Sequence, residues 1–252
     1  MTLEARSLVF SCGEKKIIDD CSLQIAPGKL TFITGPNGSG KTTLLHLLGG
    51  LYTPQGGEVL LNGVPLDHFS HTERACRMGV LTQEKTPGLD FTARERIIMG
   101  RFATLPRLFA PGKEDLQAVA QVMETMGITE LADAPCNRLS GGEYQKVLIA
   151  ALLAGEKKIM LLDEPTSAVD PAGALRIMKL FRSLKEKHAI AIVTHDLALA
   201  AAFADQMILT SKGKIFDCGT PEQVLTKENI AQVYDCDSEI LHSSNGLITV
   251  FR

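Results

Sequence analysis

Strands alternating with helices, a glycine-rich loop set between a strand and a helix, and a long all-helical interlude predict an α/β fold for this chain of 252 residues. The sheet is expected to be mostly parallel, because each strand is followed by a helix that returns the chain. Up to about Leu66 short apolar runs are separated by turns, as in an N-terminal antiparallel β part, and Glu58 to Pro65 (EVLLNGVP) reads as a hairpin turning on Asn62-Gly63. Lys29 to Thr34 (KLTFIT) is a strand, and the helix GKTTLLHLL begins near Gly40 and stops at the Gly49-Gly50 pair. From Thr92 to Ala154 the pattern is helical: TARERIIMGRF, then EDLQAVAQVMETM ending at Gly127, then the segment after LSGG, with Pro106, Pro111 and Gly112 marking the first gap. Beyond Gly155 come strand IMLLD (Ile159 to Asp163), helix AGALRIMKLFRSLKEK, strand AIAIVT (Ala189 to Thr194), a helix from Asp196 and strand QMILT. One domain over residues 1–252 is expected, with a core at about 1–90 and 156–252 and an inserted helical lobe at about 91–155.

Composition narrows the classes of function. A hydrophobic fraction of 45% is enough to bury a core, and 26 Lys and Arg against 29 Asp and Glu leave a net charge of −3, which argues against nucleic acid as a partner. The N-terminal MTLEARSLVF has an early glutamate and no apolar run, so a secretory signal is not expected. The richest apolar run, around Ala189 to Thr210, is broken by His195, Asp196 and Asp205, short of the roughly 18 uncharged residues a membrane span needs. Any membrane role is therefore expected to be peripheral. The six cysteines lie far apart with no C-x-x-C pair, the spacing of reduced structural thiols.

The chemistry begins at Gly35 to Thr43, GPNGSGKTT, which fits G-x-x-x-x-G-K-[ST] after a strand and at the start of a helix. Glycines at Gly35, Gly38 and Gly40, with Pro36, Asn37 and Ser39 between them, let backbone N–H groups converge on phosphates. Lys41 would reach the terminal phosphates, Thr42 would hold magnesium through its hydroxyl, and the dipole of the helix that continues through Thr43 would add to the attraction. A magnesium ion also needs a carboxylate, and IMLLDEP delivers Asp163 and Glu164 at the end of an apolar strand, where ligands of open α/β sheets bind. Asp163 would orient the metal, and Glu164 would act as the base polarising the attacking water. By itself, the same DEP serves equally well as a cap for the next helix. His195 follows a strand directly and could bond the γ-phosphate and the water, although a lone histidine there is more often structural. Gln83, closing the strand of VLTQE, could touch both magnesium and water; alone it is a polar loop residue.

A second anion cradle, Leu139 to Val147 (LSGGEYQKV), sets a serine and two glycines before a helix. With it the chain resembles the nucleotide-binding subunits of ABC (ATP-binding cassette) transporters, on motifs spread over nearly the whole length. GPNGSGKTT resembles the Walker A loop, Gln83 the Q-loop glutamine, LSGGE the signature, IMLLDEP the Walker B strand, Ser167 to Asp170 (SAVD) the D-loop and His195 the switch histidine. The resemblance implies a P-loop NTPase core, ATP and Mg²⁺ as ligands, and a head-to-tail dimer with a second copy. In that dimer Ser140, Gly141 and Gly142 of one chain would complete the γ-phosphate site on the Walker loop of the other. It also implies integral membrane permease subunits as partners, a substrate-binding protein acting through them, and a place on the cytoplasmic face of the membrane.

The subtype rests on two further likenesses. FTARERIIMGRF resembles the "tVrElValGRyp" stretch of importer ATPases for siderophores, haem and cobalamin, and TPEQVLTKENIAQVYDCDSEI resembles their C-terminal segment. Importers of free zinc or manganese have neighbouring sequences. The segment Gln83 to Pro111, with Phe91, Phe102, Leu105 and Phe109, is expected to form a groove for a permease helix, or else to pack within the lobe. Ser11-Cys12-Gly13 stands where the family carries an aromatic residue that stacks on adenine, leaving Phe10 as the available ring. Lys146 and Ala151 stand where arginine is usual, and SAVD where SALD is. The rival reading is a soluble ATPase of iron–sulfur cluster assembly; fewer than 60 residues between Gln83 and Ser140 leave no room for the coiled coil of a chromosome-maintenance protein.

Overall fold

The computed structural model describes residues 1–83, 91–103, 111–243 and 246–251 and has the expected α/β fold built on two main sheets. In the first, β1 (Leu3–Cys12) pairs antiparallel with β2 (Lys15–Ile25) on one side and with β4 (Gly56–Leu61) on the other. The short β5 (Val64–Pro65) folds back on β4 through Asn62 and Gly63, whose φ values of 51° and 79° are those a two-residue I′ hairpin demands. The second sheet has the order β10-β9-β3-β8-β7-β6, with β3 (Leu30–Thr34), β6 (Met78–Leu81), β7 (Ile159–Asp163), β8 (Ala189–Val193) and β9 (Gln206–Ser211) parallel. Only β10 (Lys214–Gly219), on the edge, runs antiparallel. Every residue of β3, β7 and β8 is buried, as befits parallel strands covered on both faces.

Alternation along these strands splits the interior in two. Ile33, Leu161 and Ala191 face a core closed by the antiparallel sheet and α1 (Lys41–Leu48). Their neighbours Phe32, Leu162 and Ile192 face a second core, which continues without a break into α4 (Lys113–Met126) and α5 (Gly141–Ala154) through Val119, Met123 and Val147. The helical segment is therefore anchored to the sheet by shared apolar packing. α6 (Pro171–Leu184) and α7 (Leu197–Phe203) cover the same face.

Several elements depart from the sequence reading. The helix expected over TARERIIMGRF is a true α-helix only as α3 (Ala93–Ile98), after which Met99–Arg101 tightens into a 3₁₀ turn. The cause is close approach: a Cβ on Gly100 would overlap the carbonyl oxygen of Ala151 in α5. Arg101 then locks the turn, its Nε 2.6 Å from Asp115 Oδ1 of α4 and its Nη1 donating to the Ala154 carbonyl at 2.8 Å. α2 (His71–Arg77) was missed although a Ser70/Glu73 capping box opens it. So were α8 (Pro221–Val224), α9 (Lys227–Tyr234) and the hairpin of β11 (Ser238–Ser243) with β12 (Gly246–Phe251).

The Gly100 contact generates a test. Gly100→Ala should destabilise the chain by about 1–3 kcal/mol, because backbone rather than a flexible side chain must move. Thermal unfolding should register this as a loss of roughly 2–4 °C per kcal/mol. An unchanged melting temperature would show that the turn does not sit against α5 so closely.

Candidate functional site

The loop between β3 and α1 is shaped by what lies beneath it. Gly35 has φ 144°, and a Cβ there would overlap the backbone carbonyl oxygen and the hydroxyl of Thr210 in β9. The two hydroxyls of Ser39 and Thr210 lie 2.8 Å apart, and Thr210 Oγ1 donates to the Thr34 carbonyl at 2.9 Å. Gly40 caps α1 at φ 99°, against the carbonyl of Ile17 in β2. The loop is thus held from below by the Thr210 and Ser39 hydroxyls and by the Gly213 N–H, which donates to the Ser39 carbonyl at 3.1 Å, while the Ser39 N–H closes a turn on the Pro36 carbonyl at 3.2 Å. Lys41 is buried, its Nζ donating to the carbonyls of Gly35 and Pro36 at 2.8 and 2.9 Å. Burial lowers its pKa, against the pull of Glu164 and Asp163, which favour the charged form.

A cleft of about 370 Å³ opens above this loop, lined by Asn37, Gly38, Gly40, Lys41, Thr42 and Thr43 and, from other elements, by Gln83, Asp163 and Glu164. Asn37 and Glu164, 127 positions apart, thus meet at one mouth. Asp163 is 1% exposed, and neither of its carboxylate oxygens has a hydrogen-bond partner in the protein. Burial pushes its pKa up, with the Thr42 hydroxyl the first influence against that shift. A buried, unpaired carboxylate beside a hydroxyl and an amide fits Mg²⁺, which takes hard oxygen ligands and usually uses one or two carboxylates together with substrate phosphates. Among the described residues no cluster of three His, Cys, Asp or Glu could hold a metal by itself.

Glu164 is held in a strained conformation. Its φ is 50°, in the left-handed region where a non-glycine residue costs on the order of 1 kcal/mol or more. Four contacts fix it there. Its N–H donates to the Val193 carbonyl at 3.0 Å, its own carbonyl accepts from Ser167 N and Oγ at 3.2 and 3.1 Å, and Oε1 accepts from the His195 backbone N–H at 3.1 Å. His195 Nδ1 lies 2.8 Å from the same Oε1, while the rest of the ring is exposed. The carboxylate is therefore turned into the cleft and oriented by a histidine, an arrangement that can accept a proton from water.

Ser140, Gly141 and Gly142 do not line this cleft. They form the start of α5, with Ser140 exposed and reciprocally capped by Glu143: Ser140 Oγ donates to Glu143 Oε2 at 2.7 Å and accepts from the Glu143 N–H at 3.4 Å. Gly142 packs on the D-loop segment, where a Cβ would come 2.9 Å from the Ala168 carbonyl. Phe10 does not line the cleft either; its ring stacks on Tyr52 at 5.3 Å and 3°, and Cys12 is exposed. Of the apolar residues expected to form a groove, Leu105 and Phe109 lie outside the described residues, and Phe102 is 54% exposed.

The sequence reading missed Lys15, Ile17 and Val193, which complete the lining, and Tyr234, a half-buried residue whose buried hydroxyl lies near Gly35 and whose pKa burial pushes up to about 12. Lys15 and Ile17 come from the antiparallel sheet, and only the pairing of β2 brings them over the loop.

A phosphate loop at the end of β3, with acidic residues delivered by β7 in the same parallel sheet, defines a P-loop nucleoside triphosphatase. The sequence model of the ABC transporter family matches residues 18–167, and the chain belongs to that family, as an ATP-binding, ATP-hydrolysing subunit. It is 38% identical to the ferric enterobactin transport ATP-binding protein FepC of Escherichia coli, over 92% of this chain and 86% of that one. The hemin import ATP-binding protein HmuV of Rhodococcus jostii is also 38% identical, over 99% of this chain and 86% of its own length. A cobalamin import ATP-binding protein, BtuD of Halobacterium salinarum, is 33% identical over 99% of this chain and 63% of the relative. Among solved structures, a transporter described as of the metal-chelate ABC type and inward-facing superposes with a TM-score of 0.83 at 25% identity, covering 100% of this chain and 96% of that one. A bacterial ABC transporter cassette solved as a dimer gives 0.78 at 27% identity, covering 87% and 98%.

The unpaired Asp163 predicts opposite effects on two states. A carboxylate whose folded pKa is raised destabilises the fold above its unfolded pKa, so Asp163→Asn should raise the melting temperature of the nucleotide-free chain at pH 7 and change it little at pH 3. The same variant should lose the extra thermal stabilisation that Mg²⁺ adds to bound nucleotide. A melting temperature lowered at pH 7 would mean that Asp163 is paired in the fold after all.

Proposed function

We propose that this chain powers a membrane importer of metal chelates, an iron–siderophore, haem or cobalamin, by ATP-driven dimerisation. The observation that carries the mechanism is the distance in role between the two cradles: the cleft holds Lys41, Asp163 and Glu164, while Ser140, Gly141 and Gly142 stand outside it on an exposed helix start. A site whose second cradle faces outward needs a second copy. Facing each other head to tail, two chains would each offer Ser140, Gly141 and Gly142 to the ATP on the other's loop, so that nucleotide joins the pair.

Within each site, the N–H groups from Gly35 to Thr43 cradle the phosphates and Lys41 turns from the loop carbonyls to the terminal phosphates. Thr42, Asp163 and Gln83 would hold Mg²⁺, whose charge offsets that of the β- and γ-phosphates. Glu164 polarises the attacking water, and His195 orients Glu164 and reaches the γ-phosphate. Phosphate loss then loosens the pair, and the motion passes through the lobe, residues of about 91–155, to permease subunits at the cytoplasmic face of the membrane. A substrate-binding protein would deliver the chelate on the other side. The cargo is inferred from relatives named for ferric enterobactin, hemin and cobalamin. Among the described residues no helix is long and apolar enough to cross a membrane.

Three measurements test this. Glu164→Gln keeps Oε1 as the acceptor for the His195 N–H, so it should slow hydrolysis by roughly 10²- to 10⁴-fold with ATP affinity unchanged; near-normal turnover would remove Glu164 from its role. Ser140→Ala should weaken ATP-dependent dimerisation, measured by sedimentation, far more than ATP binding to the monomer; equal loss in both would contradict action across the interface. Loss of the cap will also cost about 1 kcal/mol of stability, measured separately. Finally, the tagged Glu164→Gln chain, held with ATP and Mg²⁺ in solubilised membranes, should co-purify with a polytopic permease. Soluble cluster-assembly proteins in its place would overturn the importer.

A further inference from the structure

One turn beyond Thr42 on α1 stands His46, at the i+4 position, so the two side chains share one face of the helix. Thr42 is the residue whose hydroxyl acts on Asp163, and α1 packs on β7, the strand that ends in Asp163. His46 Nε2 is buried, yet no hydrogen-bond partner reaches it. The same holds for both carboxylate oxygens of Asp163, so three of the six buried side-chain polar atoms without a partner among the described residues belong to these two residues. Folded chains rarely leave such atoms bare, and their concentration here points to one shared cause. A ring nitrogen that can donate and a carboxylate that can only accept are complementary.

The imidazole is held in place by aromatic neighbours. Its ring stands edge-on to Tyr52, with centroids 5.1 Å apart at 86°, and Tyr52 in turn stacks on Phe10 of β1. The His46 carbonyl accepts from the N–H groups of Leu51 and Tyr52 at 2.9 and 3.3 Å, which ties Tyr52 to the helix that carries the ring. Electrostatics agrees with this placement. Burial raises the Asp163 pKa, the Thr42 hydroxyl opposes the rise, Glu164 adds to it, and His46 opposes it ahead of Lys41. Lys41 already donates to the carbonyls of Gly35 and Pro36, so it is not the donor that Asp163 lacks. His46 does not line the cleft and can act on a ligand there only through another residue.

We propose that His46 is the positioning residue of Asp163, its Nε2–H donating to the carboxylate and holding it toward the metal. The inference rests on the reading of Asp163 as the magnesium carboxylate and adds the group that orients it. An outer donor of this kind raises the affinity of the carboxylate for a cation by fixing its direction. Phosphate binding by the loop does not depend on it. The effect therefore belongs to Mg²⁺ alone.

The test follows the melting temperature of the intact chain at saturating ATPγS, a slowly hydrolysed analogue, as free Mg²⁺ is raised. His46→Leu fills similar space without a donor, and His46→Asn places its amide where Nδ1 stood. Both should raise the half-saturating Mg²⁺ concentration by roughly 10- to 100-fold. His46→Gln carries its amide nitrogen out to the Nε2 position and should stay close to wild type. ATPγS affinity in EDTA should be the same for all of these chains. Wild-type Mg²⁺ dependence in His46→Leu, or a loss of ATPγS affinity that is equal in Mg²⁺ and in EDTA, overturns the inference and leaves the magnesium reading standing. If the Leu variant folds poorly, the contrast between Asn and Gln decides. A wild-type chain whose nucleotide-bound stability ignores Mg²⁺, or responds equally after Asp163→Asn, overturns the reading of Asp163, and this inference with it.

Discussion

The register of three buried parallel strands is the constraint on which the site depends. Ile33 of β3 and Asp163 of β7 both lie opposite Val193 of β8, so the three strands end side by side. Gly35 follows one end, Glu164 another and His195 the third. A slip of one residue would turn each strand's side chains to the opposite core and move Asp163 away from the loop. Full burial on both faces makes such a slip prohibitive, because Phe32 and Ile33, or Leu161 and Leu162, would exchange cores of different shape. Apolar packing far from the phosphates thereby fixes the polar geometry, and the strain at Glu164 persists because its N–H is bonded to the end of β8.

Electrostatics works in the opposite direction. Lys41 and Asp163 are both largely withdrawn from water, and burial disfavours the charged form of each. The loop carbonyls satisfy Lys41, whereas the buried Asp163 oxygens have no partner, the Thr42 hydroxyl beside them lying outside geometric hydrogen-bond reach. Sheet packing thus stabilises a site that its own charges destabilise, and a ligand that supplies a cation and phosphates relieves the imbalance. Stability and affinity are coupled through the same few atoms.

Much of this was legible in the chain itself because the chemistry sits in short contiguous runs at strand ends. GPNGSGKTT and IMLLDEP each contain both the element and the residues it delivers, so local pattern sufficed. The lining by Lys15 and Ile17 was not legible. It depends on β2 pairing with β1 through a register broken three times by irregularities, which no local pattern encodes. The early end of α3 was hidden for a similar reason: Gly100 looks like a tolerable helix glycine until α5 is brought against it. Phe10 has the right chemistry for stacking on a base, but Tyr52, 42 positions away, takes its face. The reading failed where a residue's neighbours come from distant sequence.

The segment after Glu164 ties the two cradles of one chain together. The Glu164 carbonyl accepts from Ser167, and the next residue, Ala168, presents its carbonyl beneath Gly142. A change at Glu164 can therefore reach the start of α5 in the lobe through Ser167 and Ala168. In the head-to-tail pair proposed above, that start of α5 serves the partner's nucleotide. In that pair, hydrolysis in one site would alter the cradle that this chain offers to the other through the packing at Gly142. A Cβ at Gly142 would come 2.9 Å from the Ala168 carbonyl oxygen, so a side chain there would force the start of α5 or the D-loop backbone to shift.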